Sequence, residues 1–123
     1  MNFDVKSTSI LRALLDNEYH PKLIEMVCWI IDTTGMVYVT SAFRPGDPGV
    51  HGTIPCRGMD LRSWIYSSPI ALCRHINEVF KYDPRRRPHK RCAKVHRRAN
   101  PDGTYGPIHI HLQVHPKTEI LKL

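Results

Sequence analysis

A tight turn between two strand-like segments constrains the fold of this chain more than any other feature. Asp102-Gly103 is a strong signal for a two-residue hairpin turn, and it lies in the middle of residues 100–104. The flanking residues 92–97 and 107–115 are suited to strands. The sequence therefore predicts a β-hairpin near the end of the chain.

The turn also predicts which residues face each other. If residues 101 and 104 pair across it, His96 lies opposite His109, and Lys94 lies opposite His111. Directly opposed residues project from the same face of a sheet. Three histidines would then share one surface, although a slip of one residue would undo this register.

Apolar residues at helical spacing predict three helices. The first is a short helix behind the capping residues Ser7-Thr8-Ser9, the second runs over 22–33 between Pro21 and Gly35, and the third runs over 70–82 between Ser68-Pro69 and Pro84. Strands are predicted over 36–43 and 57–62, and loops over 44–55 and the basic run 85–90. We expect an α+β fold in one domain over 1–123: a small antiparallel sheet with about three helices packed on it.

Histidines at alternate positions of a strand can converge on one metal ion, as in His109-Ile110-His111. A catalytic zinc takes three ligands from histidine and carboxylate and leaves a position open for water. His51 in the Gly- and Pro-rich loop and Asp60 in the strand that follows are candidates for the remaining ligands. A lone His-x-His is more often an ordinary surface or core pair, and Asp60 could equally cap a turn.

The order of these residues resembles a family of zinc peptidases. The order is Ser41-Ala42-Phe43-Arg44, then His51, then Arg57-Gly58-Met59-Asp60-Leu61, then His109-Ile110-His111. It is similar to the superfamily named for lysostaphin, D-alanyl-D-alanine carboxypeptidases and the sonic hedgehog signalling domain. The similarity spans roughly residues 37–114.

The resemblance implies a role for each matching residue. His51, Asp60 and His111 would bind Zn²⁺, Arg44 would polarise the substrate carbonyl or bind a carboxylate, and His109 would assist catalysis beside the metal. The implied reaction is hydrolysis of a peptide bond in bacterial peptidoglycan, by an endopeptidase or by a D,D- or L,D-carboxypeptidase.

Two departures from the family pattern concern the spacing of the ligands and the general base. Eight residues separate His51 from Asp60 where the family has six, so an insertion such as residues 53–55 must bulge outward. The carboxypeptidase branch has a glutamate shortly before the last ligand, and this chain has no acid there. His96 or His109 would then take the proton from water. Asp102 is the nearby acid, but a role in the turn explains it better.

The aromatic residues and the other histidines complete the site predictions. Trp64 closely follows Asp60 and is predicted to contact the substrate, whereas Trp29 is predicted to belong to the core. Four further histidines fall at spacings that do not complete the site and are predicted to be surface residues: His20, His75, His89 and His115.

Eighteen Lys and Arg against eleven Asp and Glu give a formal charge of +7, which favours polyanionic partners. Anionic cell-wall polymers fit this charge, as does nucleic acid. A basic nucleic-acid-binding protein or nuclease is thus one alternative, in which residues 85–90 and Arg97-Arg98 would neutralise the phosphates of the nucleic acid. No base-reading motif accompanies the charge, however. An inactive zinc-binding relative is another alternative.

The four cysteines form no CxxC pair and are predicted to be reduced thiols. Residues 1–20 contain three acids and no continuous apolar run, so we expect neither a signal peptide nor a membrane segment. These features resemble a bacteriophage endolysin that is made in the cytoplasm and reaches the wall during host lysis. We expect it to act as a monomer.

Overall fold

Three helices occur in the residues that the computed structural model describes, 3–97 and 99–121. They are α1 (Thr8–Asp16), α2 (Pro21–Thr34) and α3 (Pro69–Val79). The hydroxyls of Ser7 and Ser68 accept hydrogen bonds from the first turns of α1 and α3, as N-capping residues do. Gly35 ends α2 with a φ of 87°, a left-handed conformation that favours glycine.

A five-stranded sheet carries the residues of the predicted site. Its order is β1 (Phe3–Val5), β2 (Val37–Ser41), β3 (Gly58–Arg62), β7 (His109–Gln113) and β6 (Ala93–His96). Strands β2, β3, β7 and β6 are antiparallel to one another in that order, whereas β1 pairs with β2 in parallel. The predicted α+β class, with three helices and a small sheet, is confirmed. The parallel edge strand β1 was not predicted.

The two faces of this sheet differ because successive side chains of a strand point to opposite sides. Leu61, Ile110 and Leu112 point to one face and are fully buried with apolar residues of α2 and α3, including Met26 and Ile76. The other face carries the polar residues of β3, β7 and β6. This second face is called the open face below.

A second sheet corrects two predictions. It contains β4 (Phe80–Asp83), β5 (Arg87–Arg91) and β8 (Glu119–Ile120), in the order β5, β4, β8. Helix α3 ends at Val79 rather than at residue 82, because residues 80–83 pair with β5, which follows after a short turn, and with the distant strand β8.

The predicted basic loop over 85–90 is also wrong, because β5 begins within it at Arg87. All five residues of β5 are exposed, and the strand lies at the edge of its sheet. Edge strands tolerate proline and are often rich in charge. The Arg87 guanidinium also lies 3.3 Å from the Asp83 carboxylate of β4, which helps to hold β5 in place.

The hairpin has the predicted register, although its turn differs in detail. His96 pairs with His109 and Lys94 pairs with His111, as predicted. The predicted pairing of residues 101 and 104 is wrong: the amide of Asn100 donates to the carbonyl of Thr104 instead. Nearer the strands, Ala99 pairs with Tyr105. From that pair to the pair of His96 with His109, the chain advances by four residues on one side and by three on the other, which restores the predicted register. Arg98 lies outside the described residues.

Within the described part of the chain, no helix is both long enough and apolar enough to span a bilayer. The same residues include all four cysteines, and none of the four forms a disulfide. Burial raises the pKa of the Cys73 thiol to about 11 and that of Cys92 to about 12, and a thiol with a raised pKa is a poor nucleophile.

Candidate metal centre

Asp60 and His111 face each other across two adjacent strands of the five-stranded sheet. Asp60 is the third residue of β3, His111 is the third residue of β7, and the two are directly paired. Both side chains project from the open face. The alternation of buried Leu61 and Ile110 on the opposite face fixes this orientation, because a slip of one residue would bury the polar set.

His51 reaches the same place from the loop between β2 and β3. It lies in a short 3-10 turn, Val50–Gly52, and its side chain is buried. The amide of Arg44 donates to the His51 carbonyl at 2.8 Å. A Cβ at Gly52 would overlap the carbonyl of Asp47, so the loop can fold back this tightly only because Gly52 has no side chain.

The two imidazoles meet on one oxygen of Asp60. His111 Nδ1 lies 2.9 Å from Asp60 Oδ1, and His51 Nε2 lies 3.2 Å from the same atom. One ligand atom from each of the three residues lies within 4.8 Å of the others. His51, Asp60 and His111 can therefore hold a metal ion, which agrees with the ligand set suggested by the sequence.

Hydrogen bonds on the far side of each ring indicate which nitrogen faces Asp60 with its lone pair. His51 Nδ1 lies 2.9 Å from the Ala42 carbonyl, which can only accept, so Nδ1 carries the proton. His111 Nε2 lies 3.1 Å from Gln113 Oε1, and the Gln113 amide donates to the Arg91 carbonyl at 2.7 Å. That second bond fixes the amide so that its oxygen faces the ring, and His111 Nε2 is the donor.

In the neutral tautomers assigned in this way, His51 Nε2 and His111 Nδ1 both present lone pairs to a carboxylate oxygen. In neutral rings, three acceptor atoms then face one another with no donor between them, so the arrangement needs either a second proton on one of the rings or a metal ion. Ligating histidines are commonly held in this way by a hydrogen bond from the other ring nitrogen. The residues present therefore fit a bound metal ion.

The Asp60 carboxylate remains ionised well into the acidic range. Burial raises its pKa, but when the rings carry that second proton, the hydrogen bonds from His111 and His51 and the electrostatic effect of the rings, chiefly that of His51 and His109, outweigh burial. The net result is a pKa far below the usual value for aspartate. Asp60 is thus a charged ligand at neutral pH.

Two more histidines lie beside the three ligands. His109 Nε2 is 3.7 Å from the other oxygen of Asp60, and the His96 ring packs edge-on against the His109 ring with centroids 5.2 Å apart. Burial lowers the pKa of His96, and electrostatic interactions with His109, Lys94 and His111 add to the effect. His96 is therefore neutral, and able to accept a proton, at neutral pH.

These residues line an open cleft of about 280 Å³ on the open face: Arg44, Asp47, His51, Asp60, His96, His109 and His111. Arg44 lies at the rim, where its guanidinium contacts the Asp47 carboxylate at 3.2 Å. The structure thus brings together all of the predicted metal ligands and three of the predicted catalytic or substrate residues.

Trp64 is the predicted site residue that does not line the cleft. It is 72% exposed, and its ring covers the guanidinium of Arg62. Trp29 packs on the core as predicted, with its ring against Phe80.

None of the other four histidines lies in the cleft. His20 and His115 are only half-exposed, and His20 caps α2 by accepting a hydrogen bond from the amide of Lys22. Asp102 accepts hydrogen bonds from the backbone and hydroxyl of Thr104, in keeping with a role in the turn.

Sequence reasoning missed Asp47 and Gln113. The signal for Gln113 was present, because it follows His111 at the next position on the same face of the strand. The signal for Asp47 was its place three residues after Arg44. Asp47 contacts Arg44 and Gln113 contacts His111, so each holds a predicted site residue in place. The sequence patterns indicated only residues that could themselves contact a metal ion or the substrate.

A scan against protein-family models, a search of curated proteins and a search of solved structures each found no match to this chain.

Proposed function

We propose that this protein is a zinc-dependent hydrolase that cuts a peptide bond in bacterial peptidoglycan. The observation that carries the proposal is the convergence of His51, Asp60 and His111 on the floor of a cleft that also holds two further histidines and an arginine. This combination offers metal ligands, proton carriers and an anion-binding group within one site.

Zinc suits the ligand set better than the other common divalent ions. Two imidazoles and one carboxylate are typical of catalytic zinc, whereas magnesium and calcium prefer sites made of oxygen. When bound by these three residues, zinc supplies Lewis-acid chemistry, which acidifies water and polarises a carbonyl group.

The remaining cleft residues supply proton transfer and orientation. His96, neutral because its pKa is lowered, takes a proton from water at its free ring nitrogen, and His109 lies between it and Asp60. The same imidazoles can return the proton to the departing amine. Arg44 orients the substrate by hydrogen bonds from its guanidinium to a carbonyl or carboxylate oxygen, with Asp47 holding it at the rim.

The choice of substrate rests on the order of the site residues along the chain. Ser41-Ala42-Phe43-Arg44, His51, Asp60 and His109-Ile110-His111 follow the order of zinc peptidases that act on the cell wall. The excess of basic residues fits an anionic wall. Action on the wall after release from the producing cell, in the manner of a bacteriophage endolysin, belongs to the same proposal.

A second candidate function is polyanion binding, and one observation favours it. Strand β5 presents Arg87, His89, Lys90 and Arg91 on an exposed edge, next to Arg85 and Arg86. Such a surface neutralises phosphates without reading sequence. It does not account for the buried cluster of His51, Asp60 and His111, so we rank it below the hydrolase.

The test is hydrolysis of purified peptidoglycan peptides by the zinc-loaded protein, followed by mass spectrometry of the products. The proposal expects cleavage at one defined amide, and the loss of cleavage in Asp60→Asn. A protein that binds zinc at these residues but leaves every wall peptide intact would be the inactive relative. Cleavage of DNA but not of wall peptides would favour a nuclease.

A further inference from the structure

A stack of three side chains lies on the open face beside the metal ligands. The Arg62 guanidinium carbon is 3.9 Å from the centre of the Tyr38 ring and 4.8 Å from that of Trp64. Arg62 stands two residues after Asp60 on β3, so the two side chains share a face, and it pairs directly with His109 on β7. The stack is thus a neighbour of the cleft, on the side away from His96.

We propose that Arg62, held between Tyr38 and Trp64, binds a carboxylate of the peptide substrate next to the bond that is cut. This inference rests on the proposed function, because it assigns a substrate group to that same site. It goes beyond that function by naming a residue and a chemical feature of the substrate, a free carboxylate.

The arrangement leaves the hydrogen-bonding edge of Arg62 available. Aromatic rings contact the flat faces of a guanidinium, whereas its N–H groups point outward in the plane. Among the described residues, no carboxylate lies within ion-pair distance of Arg62, in contrast to Arg44 and Arg87. A planar fork of this kind matches the two oxygens of a carboxylate.

The position of Trp64 also suits a binding surface. The residue before it, Ser63, is buried, and its hydroxyl donates to the Ile108 carbonyl at 3.0 Å, which fixes the chain on either side of the site. Trp64 is nevertheless 72% exposed. A large aromatic ring that is held over a cation and open to solvent is a suitable wall for an extended ligand.

The spacing fits a carboxylate close to the reacting bond. Alternate residues of a strand are about 7 Å apart, so the backbone of Arg62 lies about two extended peptide units from that of Asp60. A peptide whose scissile carbonyl lies over Asp60 and His111 would place a neighbouring residue over Arg62. We therefore expect an acidic or C-terminal residue at that position of the substrate.

Binding can be measured separately from hydrolysis through Trp64. The chain has two tryptophans, so Trp29→Phe leaves Trp64 as the single fluorescent reporter. The probes are the tripeptide L-Ala-γ-D-Glu-L-Lys with its C-terminus blocked as an amide and the α-carboxylate of its D-Glu free, and the same peptide with that carboxylate also converted to an amide. We expect the carboxylate form to change Trp64 fluorescence with a Kd at least about tenfold lower than that of the amide.

Variants of Arg62 test the assignment. Arg62→Gln should remove the preference for the carboxylate, and Arg62→Lys should retain part of it, because lysine keeps the charge but loses the fork. Arg97→Gln is the matched control and should keep the full preference, because the Arg97 guanidinium is stacked on Tyr105, 4.7 Å from the ring centre, outside the cleft. Circular dichroism and zinc content verify that each variant is folded.

Equal Kd values for the two peptides in the Trp29→Phe protein, or a preference that survives in Arg62→Gln, would overturn the assignment. If Arg62→Gln does not fold, Arg62→Lys replaces it in the test. An undiminished preference of Arg62→Lys for the carboxylate peptide would then overturn the assignment. These results do not depend on hydrolysis. Wall peptides that are cut without any carboxylate preference would contradict only the subsite, and selective binding without cutting would contradict only the hydrolase.

Discussion

The imidazole of His111 faces Asp60 through Nδ1 while its other nitrogen is held by a side chain two residues further along the same strand. Nδ1 is 2.9 Å from Asp60 Oδ1, and Nε2 donates to Gln113 Oε1 at 3.1 Å. Gln113 is buried and is itself fixed by the Arg91 carbonyl. The orientation of His111 therefore depends on a residue that is not one of the three candidate ligands.

Replacing Gln113 by leucine should weaken zinc binding by about 10- to 100-fold, the usual effect of losing the hydrogen bond that orients a ligating histidine. Competition with a colorimetric chelator measures the change. Gln113→Glu keeps an acceptor oxygen for His111 Nε2 but loses the N–H that donates to the Arg91 carbonyl, so its affinity should lie between those of wild type and Gln113→Leu. Equal zinc affinity in wild type and Gln113→Leu would mean that His111 is oriented in some other way.

His96→Ala and His109→Ala should each leave the zinc content nearly intact while they lower peptide hydrolysis by about a hundredfold or more, which is the usual size of a general-base contribution. Both side chains line the cleft, but neither belongs to the three ligands. Steady-state kinetics on a wall peptide, with metal analysis of each variant, measures this. Asp102→Asn should have little effect, because Asp102 hydrogen-bonds within its own turn. Full activity in His96→Ala together with none in Asp102→Asn would identify the acid as the base.

The pH dependence of hydrolysis should reflect the lowered pKa of His96. A group with a lowered pKa keeps its neutral, proton-accepting form to lower pH, so kcat/KM should hold at neutral pH and fall only below 6.5, the ordinary value for histidine. A bound cation would shift the pKa in the same direction. Zinc content measured at each pH separates this effect from loss of the metal. A fall centred above pH 6.5 with zinc still bound would exclude His96 as the base.

Polyanion binding should depend on the basic edge strand and on salt. Changing Arg85, Arg86 and Lys90 together to glutamine should weaken binding to a teichoic acid preparation and make it less sensitive to salt, because fewer counterions are released. The control changes Lys6, Arg12 and Arg74, which are exposed elsewhere, and alters the net charge equally. An equal loss in both variants would show that only total charge matters.

The site was more predictable from the sequence than the second sheet was. Two features of the site depend on local chemistry: the alternation of His109-Ile110-His111 and the turn at Gly103. Together they predicted that His96 lies opposite His109, as the structure shows. The end of α3 at Val79 depends in part on pairing with the distant strand β8, which local patterns do not encode. Strand β5 was missed because all of its residues are exposed and it has no apolar alternation. Gln113 and the stack on Arg62 were missed because they become visible only when neighbouring strands are seen together.

The most direct test of the candidate metal centre is the zinc content of the purified protein, of three ligand variants and of one control variant, measured by mass spectrometry after dialysis against zinc-free buffer. We expect about one zinc per chain in wild type and in the control His75→Ala, whose side chain is exposed outside the cleft. His51→Ala, Asp60→Ala and His111→Ala should each lose nearly all of it, because each removes one of the three converging ligand atoms. One zinc per chain retained in all three ligand variants would show that these residues do not hold it.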